Sequence, residues 1–172
     1  MIDSPVILDV SAPGILRLGD EVFRCALGPA GIVLEKREGD GGTPVGVFPL
    51  RRVMYRTDRM SRPDTRLPVR AISDSDGWCD DLGHAAYNQL VVLPHPARHE
   101  RLWRDDLVYD VIVEVGFNDD PPVPGKGSAI FIHVAREGYT PTEGCVALQI
   151  DDLLHVVRAC GPDAILRVNP VD

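Results

Sequence analysis

SAIFIHVA, residues 128–135, is an unbroken apolar run of strand length with a single histidine near its end, bounded by Gly127 and Arg136. Such a run, rich in β-branched and aromatic residues, is consistent with a strand covered on both faces, as in the core of a sandwich or barrel. LVYDVIVEVGF, just upstream, has the same character, and LVVLP before it is a third candidate core strand. Towards the N-terminus, ILDV, ILRLG, EVFRCALG and GIVLEKREGDGG are short, β-branched and interrupted by Gly or Pro, so they read as hairpin strands. With 16 Gly and 15 Pro along the chain, long helices have little room. The period changes once. From Gln149 to Cys160, apolar residues at Ile150, Leu153, Leu154, Val156 and Val157 follow helical spacing, with Asp151 and Asp152 at the start and Gly161-Pro162 at the end. AILRVNP then returns as a strand. The fold class expected is mainly β, a sandwich or barrel with long loops, notably Thr57 to Asn88, and one short helix in the C-terminal half.

A chain of 172 residues fits one domain, taken here as residues 1–172, and buries a core without disulfide or metal staples. Its 18 Lys+Arg against 26 Asp+Glu give a net charge of −8, the wrong sign for nucleic acid or an anionic membrane. Four cysteines, at 25, 79, 145 and 160, form no CxxC pair, which argues against a zinc ribbon or dithiol motif and leaves up to two disulfides open. No run reaches membrane-spanning length, and MIDSPVILDVSAPG lacks the basic region and long apolar stretch of an export signal.

PTEGCVAL, residues 141–148, returns from the loop that follows SAIFIHVA. A cysteine reacts as thiolate, and its ordinary pKa of about 8.5 means that it needs a base or a positive dipole near neutrality. His133 is the natural partner for Cys145, since a strand-to-loop excursion can bring the two back together. Gly144 allows a tight turn whose amides face a developing oxyanion, and the Thr142 hydroxyl can hold that turn. The alternative is a small buried hydrophobe beside a satisfied histidine.

GTPVGVFPL, followed by IFIHVA and TEGCVAL, resembles the L,D-transpeptidase catalytic domain, the YkuD/ErfK family, whose pattern is a histidine, a variable loop and Ser/Thr-x-Gly-Cys. The likeness runs from about Gly39 to Leu148, and the element Thr43, Pro44, Gly46, Phe48 is independent of the His–Cys pair. The resemblance implies that Cys145 attacks the carbonyl between the diamino acid of a peptidoglycan stem peptide and its terminal D-alanine. D-alanine leaves, and an amine or water resolves the thioester. His133 takes the thiol proton and returns it to the leaving amine, the carbonyl of Val134 orients the imidazole, and amides at Gly144 and Cys145 hold the oxyanion. No metal or organic cofactor is implied. The substrate implies the cell envelope, whereas the missing export signal leaves a cytoplasmic muropeptide as the other expectation.

Many members carry His before the Gly-Cys pair and Arg two residues after the cysteine, where this chain has Glu143 and Ala147. Glu143 either raises the cysteine pKa or meets a substrate amine. The second functional expectation is a catalytically weak module that binds wall peptides. GWCDD with Tyr87 and Asn88 suits a substrate-binding wall, including Trp78 and Tyr87, or equally a loop pinned by Trp78. HPARHE spaces His95 and His99 as zinc ligands on a helix, but Pro94 and Pro96 weaken that helix and favour a solvated loop. GDGGTP lacks the phosphate-loop spacing and reads as a hairpin turn.

Overall fold

A computed structural model describes residues 4–172; the first three residues of the N-terminal stretch read above lie outside it. In chain order the strands are β1 (Ile7–Ser11), β2 (Ile15–Leu18), β3 (Glu21–Arg24), β4 (Ile32–Val33), β5 (Thr43–Pro44), β6 (Gly46–Tyr55) and β7 (Val69–Ala71). They continue as β8 (Asp76–Cys79), β9 (Leu90–Val92), β10 (His99–Arg101), β11 (Val111–Val115), β12 (Phe131–Val134) and β13 (Val146–Leu148). Helix α1 (Ile150–Ala159) and strand β14 (Ile165–Val168) complete the chain. The fold is mainly β, with long loops and one short α-helix.

Nine strands form one sheet in the order β13-β12-β11-β6-β14-β1-β2-β3, with β7 beside β6. Just beyond β3, Ala26 bridges Ala147 of β13, each amide donating to the other's carbonyl at 2.8 and 3.0 Å. That bridge joins the two ends of the sheet and gives it the closure of a barrel, which leaves few bare strand edges.

The continuous apolar runs follow from burial on both faces. Ile130, Ile132 and Val134 face the main core with Val146, Leu148 and the inward residues of β1, β6, β11 and β14. Phe131 faces a second cluster with Met54, Ile112, Trp78, Tyr109 and Cys145. A separate sheet, β10-β8-β9, supplies Trp78 to that second cluster. Helix α1 turns Leu153, Val156 and Val157 into the main core, with Asp151 and Asp152 at its positive end and Arg158 at its negative one.

Three expectations need correction. LVVLP supplies β9 of the small sheet rather than a core strand, and Val92 there is 69% exposed. GDGGTP is not a hairpin turn: β4 and β5 pair in parallel. The Asp40 carboxylate, bonded to the amides of Arg37 and Gly42 and to Lys36, shapes a wider excursion than a two-residue turn. All four cysteines are free and buried, so neither disulfide forms.

Candidate active site

Strands β12 and β13 run parallel, with Ile132 opposite Val146 and His133 opposite Ala147. Side chains alternate along each strand, so Phe131, His133 and Ala147 share a face with Cys145, which directly precedes β13. Cys145 packs with Phe131 and Tyr109, and the His133 ring meets the Tyr109 ring at 5.5 Å between centroids and 73°. Histidine and cysteine thus converge on one tyrosine, as the strand-to-loop spacing allowed.

His133 Nδ1 lies 3.0 Å from the carbonyl of Val134. A carbonyl only accepts, so Nδ1 carries the proton and Nε2 keeps the lone pair. Burial holds the imidazole neutral, with its pKa lowered to about 4. Burial also pushes the Cys145 thiol up to about 12, with Glu100 and Glu143 adding to that shift and the Phe131 amide opposing it. The resting pair is therefore thiol and neutral imidazole, not an ion pair. The two share no hydrogen bond: Cys145 Sγ donates to the carbonyl of Ala129 at 3.2 Å and accepts from the amide of Phe131 at 3.4 Å.

The turn before Cys145 is held by Thr142, whose Oγ1 accepts from the amide of Gly144 at 3.1 Å and donates to the carbonyl of Cys145 at 2.7 Å. Gly144 sits at φ 124, and a Cβ there would lie 2.6 Å from the carbonyl oxygen of Gly42. The Gly144 amide is engaged by Thr142, and of the two amides that the sequence offered only that of Cys145 is left without this hydroxyl. Thr142 is buried and doubly bonded, so it clamps the turn. Glu143 between them is exposed.

Trp78 and Tyr87, read from the sequence as a substrate-binding wall or a pinned loop, are both buried. Trp78 is buried, stacks edge-on against Phe131 at 5.1 Å and donates Nε1–H to Asn88 Oδ1 at 3.0 Å. Tyr87, 2% exposed, donates to Glu38 at 2.5 Å and accepts from the amide of Gly127 at 3.1 Å. Both pin loops together, because an aromatic body with one satisfied polar tip is most stable inside. Two grooves of about 740 and 850 Å³ flank the molecule, and neither is lined by Cys145 or His133.

Sequence reasoning missed Tyr109 and the role of Glu100. Glu100 on β10 accepts a hydrogen bond from Tyr109 Oη, and its carboxyl pKa is raised, by burial first. The glutamate of HPARHE therefore serves the tyrosine beside His133. His95 packs its ring on His84 and lies outside any helix, while His99 opens β10 with Nδ1 on the carbonyl of Ala97. Among the described residues no group of three potential metal ligands occurs.

The family model for the YkuD L,D-transpeptidase catalytic domain matches residues 7–168, so the chain belongs to that family. Among solved structures it is similar to Mycobacterium tuberculosis L,D-transpeptidase 1, with 15% identity, a TM-score of 0.46, and coverage of 96% of this chain and 59% of that one. An L,D-transpeptidase from Mycobacterium smegmatis gives 16% identity, a TM-score of 0.43, and coverage of 96% and 58%. The chain thus spans less than two thirds of the length of either neighbour. No curated protein matches the sequence.

Proposed function

We propose that the protein is a cysteine acyltransferase acting on peptidoglycan stem tetrapeptides, with the whole described chain serving as one catalytic domain. The observation that carries this reading is the placement of His133 and Cys145 on one face of adjacent strands, with Nδ1 anchored on Val134 and a lone pair left on Nε2. In the first step the thiol leaves the Ala129 carbonyl and gives its proton to His133 Nε2. Sulfur bonds to the donor carbonyl carbon, and the Cys145 amide faces the oxyanion. The C–N bond then breaks, and the imidazolium returns the proton to the departing amine of D-alanine. In the second half-reaction an amine of a neighbouring stem, or water, attacks the thioester and gives its proton to His133, the C–S bond breaks, and the imidazolium passes that proton to the departing sulfur to restore the thiol. Glu143, which is exposed next to Cys145, is proposed to meet a cationic amine of either peptide. No step calls for a metal or an organic cofactor.

A catalytically weak wall-peptide binder is the second reading, favoured by the neutral thiol held on a backbone carbonyl. Incubation with a disaccharide tetrapeptide separates the two. Release of D-alanine that is lost in Cys145→Ala supports the enzyme; binding without release, and no carbapenem adduct, supports the binder. No helix among the described residues is long and apolar enough to cross a membrane. Action at the cell envelope is proposed from the substrate, with fractionation of native cells as its test and recovery in the cytosol pointing to recycled muropeptides.

A further inference from the structure

Asn88 sits in the left-handed region at φ 56, is 4% exposed, and uses every hydrogen-bonding capacity of its side-chain amide. Its Oδ1 accepts from Trp78 Nε1 and from the amide of Ala129, both at 3.0 Å. Its Nδ2 donates to the carbonyls of Phe117 at 3.0 Å and Asn118 at 2.7 Å. Two of these bonds lead to the nucleophile. Ala129, a residue with a Cβ held at φ 53, offers its carbonyl to the Cys145 thiol at 3.2 Å. Trp78 stacks on Phe131, whose amide donates to the same sulfur at 3.4 Å. Both groups that touch Sγ are thus held, one directly and one through an aromatic contact, by the same amide.

We propose that Asn88 is a positioning residue for the Cys145 sulfur, an assignment that rests on Cys145 being the nucleophile. A left-handed alanine is strained and persists only where its surroundings over-determine it; here the Asn88 carbonyl supplies that constraint at the residue whose own carbonyl holds the thiol. Asn suits the position because it tolerates positive φ and offers two donors and two acceptors in one plane. Asp would keep both acceptors and lose both donors, and Gly would keep the backbone conformation and lose all four bonds. The charged and titratable groups around the sulfur, Glu100, Glu143, Lys36, Tyr109 and His133, remain in every variant.

The test reads sulfur placement without needing turnover. Alkylation of the full-length protein by iodoacetamide at about pH 8, followed cysteine by cysteine by peptide mass, gives separate rates for Cys145, Cys25 and Cys160. In Asn88→Gly the Cys145 rate is expected to change by about tenfold or more while Cys25 and Cys160 keep theirs. With tetrapeptide, kcat falls about 100-fold and KM stays within about threefold, as for a displaced reactive group. Asn88→Asp keeps the acceptor for Ala129 but sets an oxygen against the carbonyls of Phe117 and Asn118, so its kcat is expected to lie between those of Asn88→Gly and the native protein. Trp78→Phe, which keeps a ring on Phe131, moves the Cys145 rate in the same direction by less. The proposal is overturned if Cys145 alkylation in Asn88→Gly is unchanged, or changes in step with the distant cysteines, as general loosening would produce. A native protein that releases no D-alanine defeats the functional reading and leaves the alkylation result standing on its own.

Discussion

His133 has a folded pKa of about 4 because it is buried, whereas an unfolded chain has the ordinary value near 6.5. Above pH 6.5 both forms are neutral and its contribution to stability is fully present. As the pH falls through 6.5 towards 4, the unfolded chain takes the proton first, so that stability is lost over this window. Glu100, whose carboxyl is pushed up by burial, works in the opposite direction, so the comparison must isolate the imidazole. The urea midpoint of the native protein should fall more between pH 7 and about 4.5 than that of His133→Gln; equal falls would mean that His133 is solvated. Ala147 offers a second test at this scale. It is 1% exposed and lies in register with His133, so only a methyl group fills that place. Ala147→Arg should therefore destabilise by more than about 2 kcal/mol by burying an unpaired charge, and should not improve turnover. Denaturation together with D-alanine release would show it.

The turn from Thr142 to Cys145 is the element that sets the position of the Cys145 thiol. Thr142→Val removes a hydroxyl that serves two backbone groups inside the protein, and should cost about 1–3 kcal/mol by the buried groups left unpaired. Gly144→Ala combines a φ of 124 with a 2.6 Å approach to a backbone oxygen that has no easy escape. It should cost at least about 2 kcal/mol and slow any acylation. Chemical denaturation measures both costs, and a Thr142→Val protein as stable as the native would remove the clamp from the account. This element was legible because the residues of TEGC act on one another at short range: a threonine closes a turn, a glycine allows it, and a cysteine follows. The engagement of the Gly144 amide by Thr142 was not legible, since the direction of one N–H depends on a φ that the letters do not specify. The partners of Asn88, Glu100 and Tyr109 stayed hidden for another reason. They lie 41 residues away for Asn88 and Ala129 and 9 away for Glu100 and Tyr109, across loops whose paths no local pattern encodes.

At the scale of the molecule, the apolar runs at β11 and β12 read correctly as strands covered on both sides, and the period of Gln149–Cys160 located α1 to within a residue at each end. What covers the outer face was not legible. LVVLP has the composition of a core strand, yet its place in the small sheet is set by pairing with β8. Closure through Ala26 and Ala147 joins segments 121 residues apart, so it is a property of the whole sheet. Helix α1 follows β13 after one residue and packs Leu153 fully inside, so Leu153→Ala should cost about 2–5 kcal/mol, whereas the half-buried Leu154→Ala should cost less. Urea midpoints compare the two directly, and equal costs would contradict this orientation of the helix. Whether Cys145 carries the acyl group is read from the intact mass of the protein mixed with disaccharide tetrapeptide and quenched in acid. A covalent adduct is expected that maps to the peptide containing Cys145, disappears in Cys145→Ala and is matched by released D-alanine; D-alanine released at the native rate by Cys145→Ala would rule out acyl transfer through this cysteine.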